Sequence, residues 1–198
     1  MNAYQSDRDF TDYVFHSLAK KIIYPTMGWS EKLVNKTDLE KVDLEQGIDA
    51  YITLSNGEIS TVQYRFRDSY YKTYNDVTLR YEREYNPNPN RRKSEFFKIE
   101  ADFLMYGITN GKKFIDKLST NTNFEKWAVL DIVQLKKAID EKRVIIDPNH
   151  SSIKCIQSGG KMLCPVNYNK DGSSSFVPFS IPILKRVSPD TVKYSYGF

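Results

Sequence analysis

The stretch GIDAYITLSNGEISTVQYRFR, Gly47 to Arg67, decides the fold. Ile48, Ala50, Ile52 and Leu54 alternate with Asp49, Tyr51 and Thr53. Beyond Ser55, Asn56 and Gly57, the residues Val62, Tyr64 and Phe66 alternate with Thr61, Gln63, Arg65 and Arg67. A period of two with one apolar face marks a β-strand, so the stretch reads as a hairpin. Its register follows from the faces. A two-residue Asn56-Gly57 loop would set Ile52 against Thr61 and Asp49 against Tyr64, mixing core and polar sides. A three-residue loop with Gly57 left-handed sets Ala50 against Val62 and Ile52 against Ser60, which keeps one face apolar. It also brings Asp49 opposite Gln63, with Arg65 one step along the same polar face.

Upstream, Phe10, Tyr13, Val14, Leu18, Ala19, Ile22 and Ile23 recur at helical spacing. They predict a helix from about Ser6 to Ile23, with Asp7 and Asp9 in its first turn and its end before Pro25. Tyr24 to Trp29 reads as a turn, and Glu31 to Glu45 as a charged segment with a short helical piece. Downstream, strands are expected over Val77 to Glu84, Phe103 to Ile108 and Trp127 to Ile132. A helix over Val133 to Lys142 uses Leu135, Ala138 and Ile139 as its inner stripe. Ser151 to Ile183 carries β-hairpin patterning, with a polar turn at Asp171 to Ser175. Asn86 to Lys93, rich in Asn and Pro, has no core to bury and reads as a loop or mobile excursion. Helix, strands, helix and strands in that order predict an α/β or α+β fold with a mixed central sheet flanked by helices. At 198 residues, one domain with a sizeable core is the economical organisation.

Hydrophobic content of 40% and charged content of 27% are those of an ordinary globular chain. A formal net charge of +4 permits an anionic partner without demanding one, so the location of the charge decides. The polar, acidic N-terminus and the lack of any run near ~20 apolar residues predict a soluble, cytoplasmic protein that does not enter a membrane. Cys155 and Cys164 flank Ser158, Gly159, Gly160 and Lys161, a two-residue hairpin signal that sets the cysteines directly opposite each other. An intracellular setting favours free thiols there. With His150 they make three zinc ligands at unfamiliar spacing, a weak pattern. Phosphate-binding and dinucleotide glycine loops and a nucleophile elbow find no match. His16 and His150 leave a histidine-based triad few partners.

What remains is the polar face of the hairpin. A divalent-metal nuclease needs acidic oxygen ligands beside the scissile phosphate and a cation nearby. Gly47-Ile48-Asp49, followed fourteen residues after the aspartate by Gln63-Tyr64-Arg65, resembles the PD-(D/E)xK nuclease superfamily. The resemblance implies a restriction-endonuclease-like core over about 6–110, with Ala101 to Gly107 as the strand that follows. It leaves a C-terminal helix and β-hairpin extension over about 120–198. It also implies Mg²⁺ or Mn²⁺ held by Asp49, Gln63 and the Tyr64 backbone carbonyl, with Asp12, Asp9 or Asp43 as a further acid. Arg65 would steady the phosphate, and the substrate would be DNA, in restriction or resolvase style. Gln63 stands where an acid is expected and Arg65 where a lysine is expected, and arginine is a poor proton donor or acceptor. The alternative is therefore a catalytically inactive nuclease-fold protein that binds nucleic acid or a protein partner, a phage or mobile-element regulatory factor. For Gln63 and Arg65 the plain reading is an ordinary solvent-facing strand surface. Arg67, Arg80, Arg91, Arg92 and Lys93, with Tyr70, Tyr71, Lys72 and Tyr74 interleaved, suit a phosphate backbone and stacked bases. RNA in place of DNA and a homodimer stay open.

Overall fold

The chain begins as α1 (Ala3–Val14), passes through a π-helical turn, Phe15–Ala19, and continues as α2 (Lys20–Met27). β1 (Ser30–Lys32), β2 (Ala50–Thr53), β3 (Ile59–Arg67), β4 (Asp76–Arg80) and a one-turn α3 (Glu95–Lys98) follow. β5 (Phe103–Thr109), β6 (Phe124–Asp131), α4 (Ile132–Asp140) and β7 (Val144–Asp147) come next. The chain ends with β8 (Ile156–Ser158), β9 (Lys161–Pro165), β10 (Asn167–Tyr168), β11 (Ser175–Ser180), α5 (Ile181–Val187) and β12 (Val192–Tyr196). This computed structural model describes residues 3–34 and 46–198, and of Ala3, Tyr4 and Arg91 the backbone alone. Most of the charged segment expected over Glu31 to Glu45, Asp43 included, lies outside the described residues. No helix among the described residues is long and apolar enough to cross a membrane.

The hairpin has the register read from its faces. Ala50 pairs with Val62 and Ile52 with Ser60. Gly57 takes φ +85° and donates its N–H to the Leu54 carbonyl at 2.9 Å, while Leu54 N–H closes on Glu58 at 2.8 Å. One position departs from the expected alternation. Ile48 joins the opposite core cluster from Ile52, because pairing starts only at Ala50 and Gly47 turns the chain at φ +63°.

The hairpin is part of a six-stranded mixed sheet ordered β1-β2-β3-β5-β6-β12, in which β3 and β5 are parallel and the other neighbours antiparallel. The fold is α+β. One face of the sheet carries the helical rod, through Phe10, Val14, Phe15, Leu18 and Ile23 against Ile52, Val62, Phe66, Met105 and Val129. The other face, Leu104, Tyr106, Ile108, Ala128 and Leu130, lies under a second layer. That layer holds the β10-β11-β4 and β7-β9-β8 sheets, α4 and α5. β5 is buried on both faces, which explains its unbroken apolar run. At Gly107 a Cβ would stand 2.4 Å from Phe124 Cε1, so only glycine fits there.

Several expected boundaries move. The helix runs through Pro25 to Met27 because Lys21 and Pro25 are exposed, so water can satisfy the carbonyl that proline leaves without a donor. It ends where Gly28, at φ +66°, and Trp29 donate to the Pro25 and Tyr24 carbonyls at 3.2 and 2.9 Å, a Schellman cap. Since the helix starts at Ala3, Asp7 and Asp9 lie beyond its first turn. Asp9 accepts from Gln5 at 2.7 Å and Asp7 pairs with Lys113 at 3.0 Å. The strand expected to reach Glu84 ends at Arg80. The excursion after it is anchored, with Arg83 N–H on Arg92 O at 2.8 Å and Ser94 N–H on Tyr81 O at 3.0 Å. The β pattern extended to Ile183 stops at Ser180, where Pro182 sits in the first turn of α5. The C-terminal residues also supply β12, at the edge of the six-stranded sheet beside β6, and β11, the partner of β4.

β3 is tied to the start of β5 by Asp102. Its Oδ2 accepts the Ser60 hydroxyl, the Thr61 hydroxyl and the Thr61 N–H, each at 2.8 Å. Replacing Asp102 with Ala strips three donors of a charged acceptor and is expected to cost about 2–3 kcal/mol. The expected reading is a lower urea midpoint with an unchanged slope; an unmoved midpoint would show that the clamp is idle.

Candidate nucleic-acid interface

β3 is nine residues long and β2 only four, so the β2–β3 ladder stops at Ala50 and Val62. Asp49 stands at the end of that ladder. Its N–H donates to Val62 O at 2.9 Å and its Oδ2 accepts the Tyr64 N–H at 2.8 Å. From there to Arg67 the strand borders a cleft of 1470 Å³. The helical rod forms one wall of the cleft, and β4, α3 and the Asn86–Lys93 segment contribute to the other.

Alternation along β3 points Tyr64 and Phe66 toward the helix and Gln63, Arg65 and Arg67 toward the second layer. Tyr64 stacks on Phe15 of the π-helical turn, ring centres 4.5 Å apart. The opposite face is no solvent-facing surface. Gln63 is buried. Arg65 makes an ion pair with Glu95, the first residue of α3, and the same Glu95 Oε2 accepts the Arg80 N–H at 2.9 Å. With the Arg65 and Glu95 side chains only 16% and 14% exposed, this pair acts largely out of water. Arg67 lies 5.1 Å over the Tyr71 ring, with Nη2 3.4 Å from Thr78 Oγ1.

The electrostatics follow from three guanidiniums around one carboxylate. Burial lowers the pKa of Arg67, and the neighbouring Arg65 charge lowers it further. Arg80 is brought down to about 10, by burial first and then by Arg65. Burial alone would raise Glu95, but the Arg65 guanidinium, the Arg80 N–H and the Arg80 charge outweigh it and hold the carboxyl below its ordinary range. The cleft as a whole is lined by nine Lys and Arg against six Asp and Glu among the described residues. It therefore has a surplus of positive charge to offer an anion.

The structure brings most of the expected site residues together. Asp12, Asp49, Gln63, Tyr64, Arg65, Arg67, Arg80 and Lys93 all line the cleft, as does His16, one turn after Asp12. Arg92 does not; it faces a smaller hollow with Glu82 and Phe97, and its Nε donates to Asn86 O at 3.3 Å. Arg91 lies in the 3₁₀ turn Pro89–Arg91. Glu95 escaped the sequence reading, although an acid after Arg91-Arg92-Lys93-Ser94 is a visible exception in a basic run.

For a divalent cation, the donors near Asp49 matter. As oriented, the Gln63 Oε1 is buried without a hydrogen-bond partner, and its Nε2 lies against Gly47, where a Cβ would approach to 3.3 Å. Asp49 and Gln63 both line the cleft, and a carboxylate and an amide oxygen suit Mg²⁺, which takes one or two protein oxygens and fills its other positions with water and phosphate. No three His, Cys, Asp or Glu side chains group as a metal site among the described residues. His150 Nδ1 instead accepts the Ser152 N–H at 3.0 Å.

No protein family, curated protein or solved structure matches this chain.

Glu95→Gln keeps the shape and removes the charge. It is expected to cost about 3 kcal/mol at pH 7, since breaking a buried pair strands its cations. Because the folded pKa is depressed, the unfolded chain takes up the proton first. The stabilisation is complete above the ordinary glutamate value of about 4.3 and drains away as pH falls through the folded value. Urea melts at pH 7 should therefore separate wild type from variant, and acid melts should bring them together. Equal stability at pH 7 would contradict the role given to Glu95.

Proposed function

We propose that the cleft grips the phosphate backbone of DNA and that the protein is nuclease-like, acting on phosphodiester bonds. The observation that carries this reading is the convergence of Asp49, Gln63, Arg65, Arg67 and Arg80 in one open cleft. Guanidiniums hold phosphate by directional paired hydrogen bonds, and arginines already crowded together gain most when an anion arrives. Lys93 and Arg8, from different walls of the same cleft, would extend the track along a strand. The order of elements in the large sheet also supports the resemblance: a helix, the hairpin and, after the inserted β4, a short helix and β5 parallel to the second hairpin strand.

In this reading Asp49 and Gln63 Oε1 would hold Mg²⁺ or Mn²⁺. The ion would supply an activated water and offset charge on the phosphate. Arg65, fixed by Glu95, would orient the phosphate without moving a proton. Binding without hydrolysis is the second reading. It is favoured by the engagement of Arg65 with Glu95 and, among the described residues, by Asp49 being the one carboxylate at the ladder end.

Incubating the purified chain with labelled DNA and Mg²⁺ or Mn²⁺, with RNA run in parallel, separates the readings. Metal-dependent cleavage that drops about 100-fold or more in Asp49→Ala is the expected result. Cleavage undiminished in that variant would sink the hydrolytic assignment. Salt-sensitive retention without cleavage would leave the binding protein. Failure to retain either nucleic acid at low salt would overturn both.

A further inference from the structure

The second layer holds a pair of thiols that the cleft does not use. Gly159 and Gly160, at φ +54° and +74°, make the two-residue turn between β8 and β9, closed by the Ser158–Lys161 pair. Counting back through Gln157–Met162 and Ile156–Leu163 sets Cys155 opposite Cys164. Hydrogen-bonded and non-hydrogen-bonded pairs alternate along an antiparallel ladder, and the closing pair of such a turn is hydrogen-bonded. Cys155 and Cys164 thus meet at a non-hydrogen-bonded position, where side chains come closest. Their sulfurs are 3.7 Å apart and both thiols are free.

We infer that Cys155 and Cys164 form an oxidisable dithiol, a modification site that closes to an intramolecular disulfide when a peroxide reaches Cys155. The two thiols are unequal. Cys155 is half-buried, and its Sγ lies 3.0 Å from the Pro178 carbonyl oxygen, whereas Cys164 is fully buried between β7 and β8. The contact between the two sulfurs lowers the Cys155 thiol, while that same contact and burial raise Cys164. The thiolate is the nucleophile, so Cys155 reacts first. Its sulfur attacks one peroxide oxygen, the O–O bond breaks, and sulfenic acid and hydroxide result. The Cys164 sulfur then attacks the Cys155 sulfur. The S–O bond breaks, and the departing hydroxide takes the Cys164 proton and leaves as water. In sum, two thiols and one hydrogen peroxide give one disulfide and two waters. The opposed sulfurs need only close the remaining gap by side-chain rotation and a small shift, since a facing cross-strand pair already lies within disulfide reach.

The test treats the full chain with hydrogen peroxide, quenches, denatures it in N-ethylmaleimide and records the intact mass. The reduced protein takes two maleimides. The oxidised protein is expected to take none, to weigh less by two hydrogens as a monomer, to yield one cross-linked Cys155–Cys164 peptide, and to recover both thiols in dithiothreitol. Cys155→Ser, at the half-buried position, is expected to abolish that loss of mass and leave Cys164 open to maleimide only after denaturation. Retention of both thiols, a disulfide between two chains, or added oxygen at Cys155 without cross-linking would each overturn the inference.

Discussion

The Glu95 carboxylate is the constraint on which the rest of the cleft depends. β3 runs between two covered faces, yet its sequence places Gln63, Arg65 and Arg67 on one of them. A guanidinium in such a position costs several kcal/mol unless an anion accompanies it. Glu95 supplies that anion and takes the Arg80 N–H with the same oxygen. One carboxylate thereby joins β3 of the large sheet, β4 of the second sheet and α3. With three guanidiniums around it, that one carboxylate leaves a surplus of positive charge on this wall of the cleft.

The opposite side of β3 is held by different physics. There the contacts are aromatic and apolar: Phe15 stacked on Tyr64, Tyr64 on Phe66, and Phe66 against Phe124. The π-helical turn gives the rod one wider turn, with Phe15, Leu18 and Ala19 buried. Single π-helical turns inside α-helices are frequent at functional sites. Asp102 then fixes where β5 begins relative to β3. The cleft is in this way framed by the helical rod, packed on β3 through aromatic contacts, by the charged wall around Glu95 and by a clamped strand pair.

Local pattern made part of this legible in the sequence. The faces of the 47–67 stretch selected the three-residue loop, and Gly57 adopts the left-handed conformation that loop requires. Gly159 and Gly160 likewise set Cys155 opposite Cys164. Alternation tells which residues share a face but not what covers that face. The cover over Arg65 comes from Glu95 of α3, tied to Arg80 of β4, and β4 is itself held by β11, whose pairing of Val77 with Phe179 and Arg80 with Phe176 spans about half the chain. A contact so distant in sequence leaves no periodicity to read. The partners of Glu95 likewise lie 30 and 15 residues away, beyond any local pattern, whereas Pro25 does not stop the helix because both it and Lys21 face water.

The claim at the centre is that guanidiniums organised by Glu95 contact phosphates in the cleft. The most direct measurement is the affinity for a short DNA over a range of salt concentrations, for the wild type and for Arg80→Gln. Each phosphate contact contributes close to one unit to the slope of log affinity against log salt. The expected result is a slope shallower by about one in the variant, with a similar loss of affinity for unrelated sequences. An identical slope in the two proteins would contradict the account.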